Sequence, residues 1–309
     1  METVAIKKSQ KQSAKLNGSA NGNHVRLSVN KTYKMYVDGK FIRSESGRYF
    51  KLEKKNGETI ANICRASRKD FRDAVVVARK AQPEWSKKSA YNKGQILYRI
   101  AEVLEGRKAQ FIESFLLQGV SQTIAEQEIT AAIDSLVYYA GWCDKYIQLF
   151  SSVNPVESSH FNFSYPEPTG VVGLIASETS GLLGLVSLIA PAIIGGNTVI
   201  VLADEKFSLT ATDFTEVLHA SDVSSGVVNI LTGYKSELLK QFATHMDVNA
   251  VVYGGKNGEE LKTLQLNAAL NVKRIINNYY ENYFSAEAQN PYHIMDTQEI
   301  KTTWHPVGL

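Results

Sequence analysis

Apolar and polar positions follow three successive rhythms along the chain. From Lys34 to Ser67 the stretch KMYVDGKFIRSESGRYFKLEKKNGETIANICRAS alternates apolar and polar residues around Asp38-Gly39 and Asn56-Gly57. Both dipeptides are hairpin-type turn signals, so the spacing predicts a small β layer. Ser67 and Asp70 then form a capping-box-like start, and Phe71, Ala74, Val75 and Ala78 recur at helical spacing until Pro83. A second helix carries Ile96, Leu97, Ile100, Val103 and Leu104 on one face. Phe111, Ile112, Phe115 and Leu116 repeat the pattern, and Ile129 to Phe150 extends it with Tyr138, Tyr139 and Trp142. Residues 67–150 are expected to be packed amphipathic helices.

From residue 170 short β-branched runs alternate with helical stretches. GVVGLIA precedes a helix ending near Gly195-Gly196, and NTVIVL precedes one over Leu209 to His219. GVVNIL precedes one over Ser236 to Thr244, and NAVVYGG follows. Four continuous apolar strands separated by helices imply βαβ crossovers. The expected fold class is therefore α/β: a Rossmann-like, doubly wound parallel sheet with an N-terminal β/helical segment. The longest apolar run, Leu182 to Ile194, is too short to cross a bilayer, so it is expected to be a buried helix, with no membrane partner.

Composition adds limits rather than chemistry. The 309 residues are 44% hydrophobic with a net charge of +3 and interspersed signs, which gives no support to a nucleic-acid partner. The exception is the start of the chain, where Lys7, Lys8, Lys11 and Lys15 lie among polar residues, so residues 1–32 are expected to be a disordered basic tail. No apolar or arginine-rich leader precedes Arg26, and the expected compartment is cytoplasmic. Cys64 and Cys143 are far apart and lack ligand spacing, so they are expected to be packed thiols and no metal site is assigned. The tyrosines from Tyr279 to Tyr283 are expected to be packing or interface aromatics.

In a doubly wound sheet, ligands bind beyond the carboxyl ends of the strands, here at Ser177 to Gly181, Leu202 to Glu205 and Gly254 to Gly258. No GxGxxG occurs, and YGGKNGEE lacks the ending of a phosphate-binding P-loop. Two readings stay open on these features: a structural turn, which is preferred, and a nucleotide site built from helix N-termini and backbone amides.

The segments EPTGVVGLIA, LIAPAIIGGNTVIV, SSGVVNILTG and HMDVNAVVYGG are similar, in order and spacing, to the cofactor-binding domain of the aldehyde dehydrogenase superfamily. Upstream, GETIANICRASRKDFRDAVVVARKAQPEW and YYAGWCDKY resemble its leading strands and helices, and the resemblance covers residues 33–275. KMYVDGKFIRSESGR, SRKDFRDAV, QILYRIAE and GLLGLVSLIAPA look closest to the C-terminal, aldehyde-dehydrogenase-like module of family 16 enzymes.

The resemblance implies a vestigial cofactor-binding set of Ile175, Ser177, Thr179, Glu205 and Gly255, with NAD(P) possible but weakened. Ser177, Glu178 and Thr179 stand where the family has a Pro-Trp-Asn turn whose asparagine stabilises an oxyanion. After the second strand Leu202, Ala203, Asp204 and Glu205 replace Lys-Pro-Ala-Glu. Asn278 aligns with the general-base glutamate, and no segment corresponds to the domain that supplies the nucleophilic cysteine, so no catalytic residue is assigned.

HFNFSYPEP, near 160–167, and QEIKTTWHPVGL, within the C-terminal tail 276–309, resemble the family's oligomerisation strands. The implied role is a non-catalytic assembly, scaffold or regulatory subunit, as a homo-oligomer or a hetero-oligomer with a catalytic aldehyde dehydrogenase subunit. The alternative is an NAD(P)-binding component whose partner carries the cysteine. An autonomous dehydrogenase would need a nucleophile and base that the residues do not identify.

Overall fold

A computed structural model describes residues 30–54 and 56–308; the lysine-rich stretch through residue 29 lies outside the described residues. The chain opens with β1 Thr32–Tyr33, β2 Met35–Val37, β3 Lys40–Ile42, β4 Tyr49–Glu53 and β5 Thr59–Cys64. Helices α1 Arg68–Lys87, α2 Ala90–Gly106, α3 Lys108–Leu117, α4 Gln122–Trp142 and α5 Lys145–Phe150 follow. Next come β6 Ser152–Asn154, β7 His160–Pro168 and β8 Val171–Ile175. Alternation then begins: α6 Leu183–Ile194, β9 Thr198–Leu202, α7 Ser208–His219, β10 Val228–Leu231, α8 Lys235–Thr244, β11 Ala250–Tyr253, α9 Gly258–Ala268 and β12 Arg274–Asn277. The chain ends with α10 Tyr292–Met295 and β13 Gln298–Pro306.

The main sheet runs β12-β11-β8-β9-β10-β2-β3, and its first five strands are parallel. The doubly wound α/β architecture thus follows the sequence pattern, because strands β8 to β11 are buried along their whole length. One face packs Leu97, Leu136, Val186, Ile193 and Phe214, and the other packs Phe71, Val75, Leu238, Phe242 and Leu264. All of α6 is buried, as its apolar run predicts.

Four details differ from the local pattern. The predicted β layer divides: β1, β5 and β4 form a separate sheet, whereas β2 pairs antiparallel with β10 and adds the β2-β3 hairpin to the main sheet. Met35, Tyr36 and Val37 are all buried, and joining the sheet covers both of their faces. The hairpin turn itself is as expected, with Asp38 and Gly39 at φ +56° and +70°.

Helix α1 passes through Pro83 to Lys87. An interior proline costs about 3 kcal/mol. Trp85 offsets it: the ring is buried, its Nε1 donates to Ile193 O at 2.8 Å, and an aromatic burial of ~200 Å² at ~25 cal/mol/Å² contributes roughly 5 kcal/mol. The long helix expected over Ile129 to Phe150 breaks between α4 and α5 at Cys143 and Asp144. Finally, a fifth parallel strand, β12, lies at the sheet edge, half exposed, and so lacks the continuous apolar run that marks the other four.

A third sheet, β13-β7-β6, stands apart from the main one. β13 pairs antiparallel with β7 over nine residues, from Gln298 opposite Pro168 to Pro306 opposite His160. Residues 278–297 carry the chain from β12 to β13. Tyr283, Ala288 and Ile294 bury themselves in the helical layer on the way, Tyr280 packs beside Tyr283, and Tyr139 OH donates to Asn290 O at 3.2 Å.

Candidate functional site

The order of strands reverses between β8 and β11, so the crevice at their carboxyl ends is where this fold class takes ligands. All five residues of the expected cofactor set gather at this end of the sheet, and each is already engaged. Ile175 O accepts from Gly254 N at 2.9 Å, closing the two strand ends on each other. Ser177 is fully buried; its Oγ accepts from Thr179 N at 3.1 Å and lies 2.8 Å from Thr179 Oγ1, so the two hydroxyls satisfy one another. Glu205 Oε1 accepts from Lys235 N at 3.3 Å at the start of α8. Gly255 is buried beneath its neighbour: a Cβ there would lie 2.5 Å from the Tyr253 hydroxyl oxygen. That ring fills the loop, and its hydroxyl donates to Glu260 Oε2 at 2.6 Å.

Glu178 spans the crevice. Its Oε1 accepts from Lys256 N at 2.8 Å on the β11-α9 loop, and its Oε2 accepts from Lys235 Nζ at 3.2 Å. Lys235 Nζ also meets Asp204 Oδ2 at 3.0 Å, so one ammonium ties together the ends of β8 and β9. Burial lowers the Lys235 pKa, but the Asp204 and Glu178 carboxylates outweigh it and hold the ammonium above its usual range. Burial likewise works against the Glu178 carboxylate, while the Lys256 amide and Lys235 pull its pKa below the ordinary value. Glu205 is raised, first by burial and then by Asp204 and Glu260.

A dinucleotide in such a crevice depends on helix N-termini to receive its phosphates. Here those termini hold the chain's own acids. Glu128, reaching across from α4, places Oε1 at the start of α6, where it accepts from Leu182 N at 2.7 Å, Leu183 N at 3.2 Å and Ser180 Oγ at 3.0 Å. Burial raises the Glu128 pKa despite these donors. At α8 the acceptor is Glu205. At α9 Asn257 Oδ1 accepts from Glu259 N at 3.0 Å, and Glu259 and Glu260 fill the first turn. A pyrophosphate would meet a carboxylate already on the terminal amides of α6 and α8, and an asparagine cap with two first-turn glutamates at α9, so the residues do not fit the group.

Asn278, in the place of the general base, is a buried amide whose backbone N donates to Tyr253 O at 2.8 Å. Tyr283 OH donates to Gly254 O at 3.2 Å, which closes the crevice from the side of the 278–297 segment. Cys64 lies in β5 and Cys143 follows α4; both are buried, and burial pushes the Cys143 thiol up to about 12, away from thiolate chemistry. Among the described residues no helix is long and apolar enough to cross a membrane.

No local motif in the sequence singles out Lys235, Glu128 or Tyr253. The available signal was an excess of acids just after the strands, at Glu178, Asp204, Glu205, Glu259 and Glu260, with a single lysine opening α8.

The family model described as the aldehyde dehydrogenase family matches residues 41–278. The aldehyde dehydrogenase of Aspergillus niger is 30% identical over 245 residues, which is 78% of this chain and 48% of that protein. The mitochondrial benzaldehyde dehydrogenase of Antirrhinum majus is 29% identical over 247 residues, 78% of this chain and 46% of that one. Among solved structures, the NAD-dependent aldehyde dehydrogenase from Sinorhizobium meliloti superimposes with a TM-score of 0.76 at 26% identity, covering 83% of this chain and 52% of that one. The chain spans about half the length of the curated relatives it matches.

Proposed function

This chain belongs to the aldehyde dehydrogenase family, and from that premise we propose that it performs no chemistry itself and serves in the cytoplasm as an assembly or regulatory subunit, akin to the C-terminal module of family 16 enzymes. The observation that carries the proposal is the closed switch-point crevice, where Glu128 and Glu205 occupy the N-termini of α6 and α8, Asn257 caps α9, and Glu178 bridges the two lips. Asn278 supplies no base, and neither cysteine lies in the crevice.

Assembly is supported by the third sheet. β13 is its edge strand, with Ile300 and Trp304 exposed, and β7 carries the ladder Phe161, Phe163 and Tyr165 with ring centroids 5.5 and 6.0 Å apart. An edge of this length is a template for another chain, either a second copy or a cysteine-bearing aldehyde dehydrogenase. A second reading, an NAD(P)-binding component of such a complex, draws on Glu205, the one family residue retained after β9.

Thermal unfolding with millimolar NAD+ or NADP+ separates the two. The non-catalytic reading predicts a midpoint unchanged to within about 1 °C. A dinucleotide held at a hundred times its Kd would add ~2.7 kcal/mol and raise the midpoint by several degrees. The native mass of the complex isolated from its own cells is expected to exceed that of one chain, and a monomeric mass would overturn the assembly role.

A further inference from the structure

At the β3 edge of the main sheet, with β9, β10 and β2 between it and the β8 wall of the crevice, a cavity of about 460 Å³ opens between β1, the β2-β3 hairpin and the last turns of α7. Its volume falls in the range of small-molecule sites. Three aromatic rings line it: Tyr33, Phe41 and His219. Two of them are packed together. Phe41 and His219 pack at 5.2 Å between centroids, and the buried Tyr36 holds both from behind, at 5.4 Å from Phe41 and 6.1 Å from His219. Such a wall is formed before any ligand arrives, which spares the cost of ordering it.

The charges in the lining are unequal. Lys31, Lys34 and Arg107 face one carboxylate, Glu216. Glu216 is already committed, with Arg107 Nη1 at 3.0 Å and Lys31 Nζ at 3.9 Å. Lys31 also caps the Tyr33 ring, its Nζ 4.3 Å from the centroid. Asp213 and Glu113 lie near enough to Tyr33 to act on its hydroxyl but do not line the cavity, and the two Asp213 oxygens accept from Ser114 Oγ and Gln110 Nε2. Lys34 has no ion-pair partner among the described residues. A cationic ligand would find the one carboxylate of the lining, Glu216, already paired, and a bare phosphate would leave the aromatic walls uncovered.

We propose that this cavity is a binding site for a planar aromatic carboxylate, with the ring against Phe41 and His219 and the carboxylate on Lys34 and the adjoining cations. The inference is independent of the crevice and of the assembly role.

The test is a fluorescence titration of the full chain with 1-anilinonaphthalene-8-sulfonate, an aromatic anion. Saturable binding at one site per chain is expected, displaced by salicylate and not by its neutral counterpart salicylamide. Lys34→Gln, an exposed substitution that leaves the fold alone, should weaken both anions by about three- to tenfold, and Phe41→Ala by at least as much. Absent saturation, equal displacement by salicylamide, or unchanged affinity in Lys34→Gln would each overturn the proposal. Because Phe41→Ala touches the ring cluster, its melting curve is recorded alongside, and the lysine variant decides if that protein is unfolded.

Discussion

Lys235→Met is expected to cost about 3–5 kcal/mol of stability at neutral pH, among the largest losses a single substitution can cause in this chain. The magnitude rests on burial. The Lys235 and Asp204 side chains are 10% and 7% exposed, so removing the ammonium leaves a carboxylate that water cannot reach. Glu178 is about a third exposed and contributes less, through solvent screening. The loss should be partly reversed in Asp204→Asn/Lys235→Met, where no uncompensated buried charge remains.

The pH dependence has a definite sign at both ends. Lys235 is held above its ordinary 10.5, so its contribution is full below that value and fades as pH rises through the folded pKa. Glu178 is held below 4.5, so its contribution is full above that value and fades as pH falls through the folded pKa. Lys235→Met should flatten both limbs. Urea unfolding of the single and double variants checks this, and a single-variant loss under 1 kcal/mol would mean that the bridge does not hold the crevice closed.

The second large effect concerns Glu128. Glu128→Ala strips the α6 N-terminus of the acceptor shared by Leu182 N, Leu183 N and Ser180 Oγ, and is expected to cost about 2–4 kcal/mol. Glu128→Gln keeps a carbonyl oxygen in reach of the same donors, so its cost should stay near 1 kcal/mol.

Burial raises the Glu128 pKa above 4.5, so folding is favoured below that value and this advantage disappears as pH rises through the folded pKa; the glutamine variant should lack that decline. Formate offers a sharper check, since a small carboxylate can enter the space vacated in Glu128→Ala and should restore part of its stability while leaving the parent protein unchanged. Equal stability of the alanine and glutamine variants would show that the cap is unimportant.

Some of this molecule is written in stretches short enough to read one at a time. The runs that become β8 to β11, the buried α6, the Ser67-Asp70 capping box and the Asp38-Gly39 turn each depend on residues within a few positions of one another. A leucine at position 202 and an amide at position 278 are equally local, and each is legible without any knowledge of the fold.

What the tertiary structure decided are the matters that depend on which distant segments meet. Glu128 caps a helix that starts more than fifty positions later, Lys235 answers Glu178 and Asp204 only because β8 and β9 end side by side, and β2-β3 joins a sheet whose other strands begin far downstream. The physical reason is range. Periodicity and turn chemistry act between neighbours along the chain, whereas a buried charge is satisfied by whatever the fold carries to within about 3 Å of it.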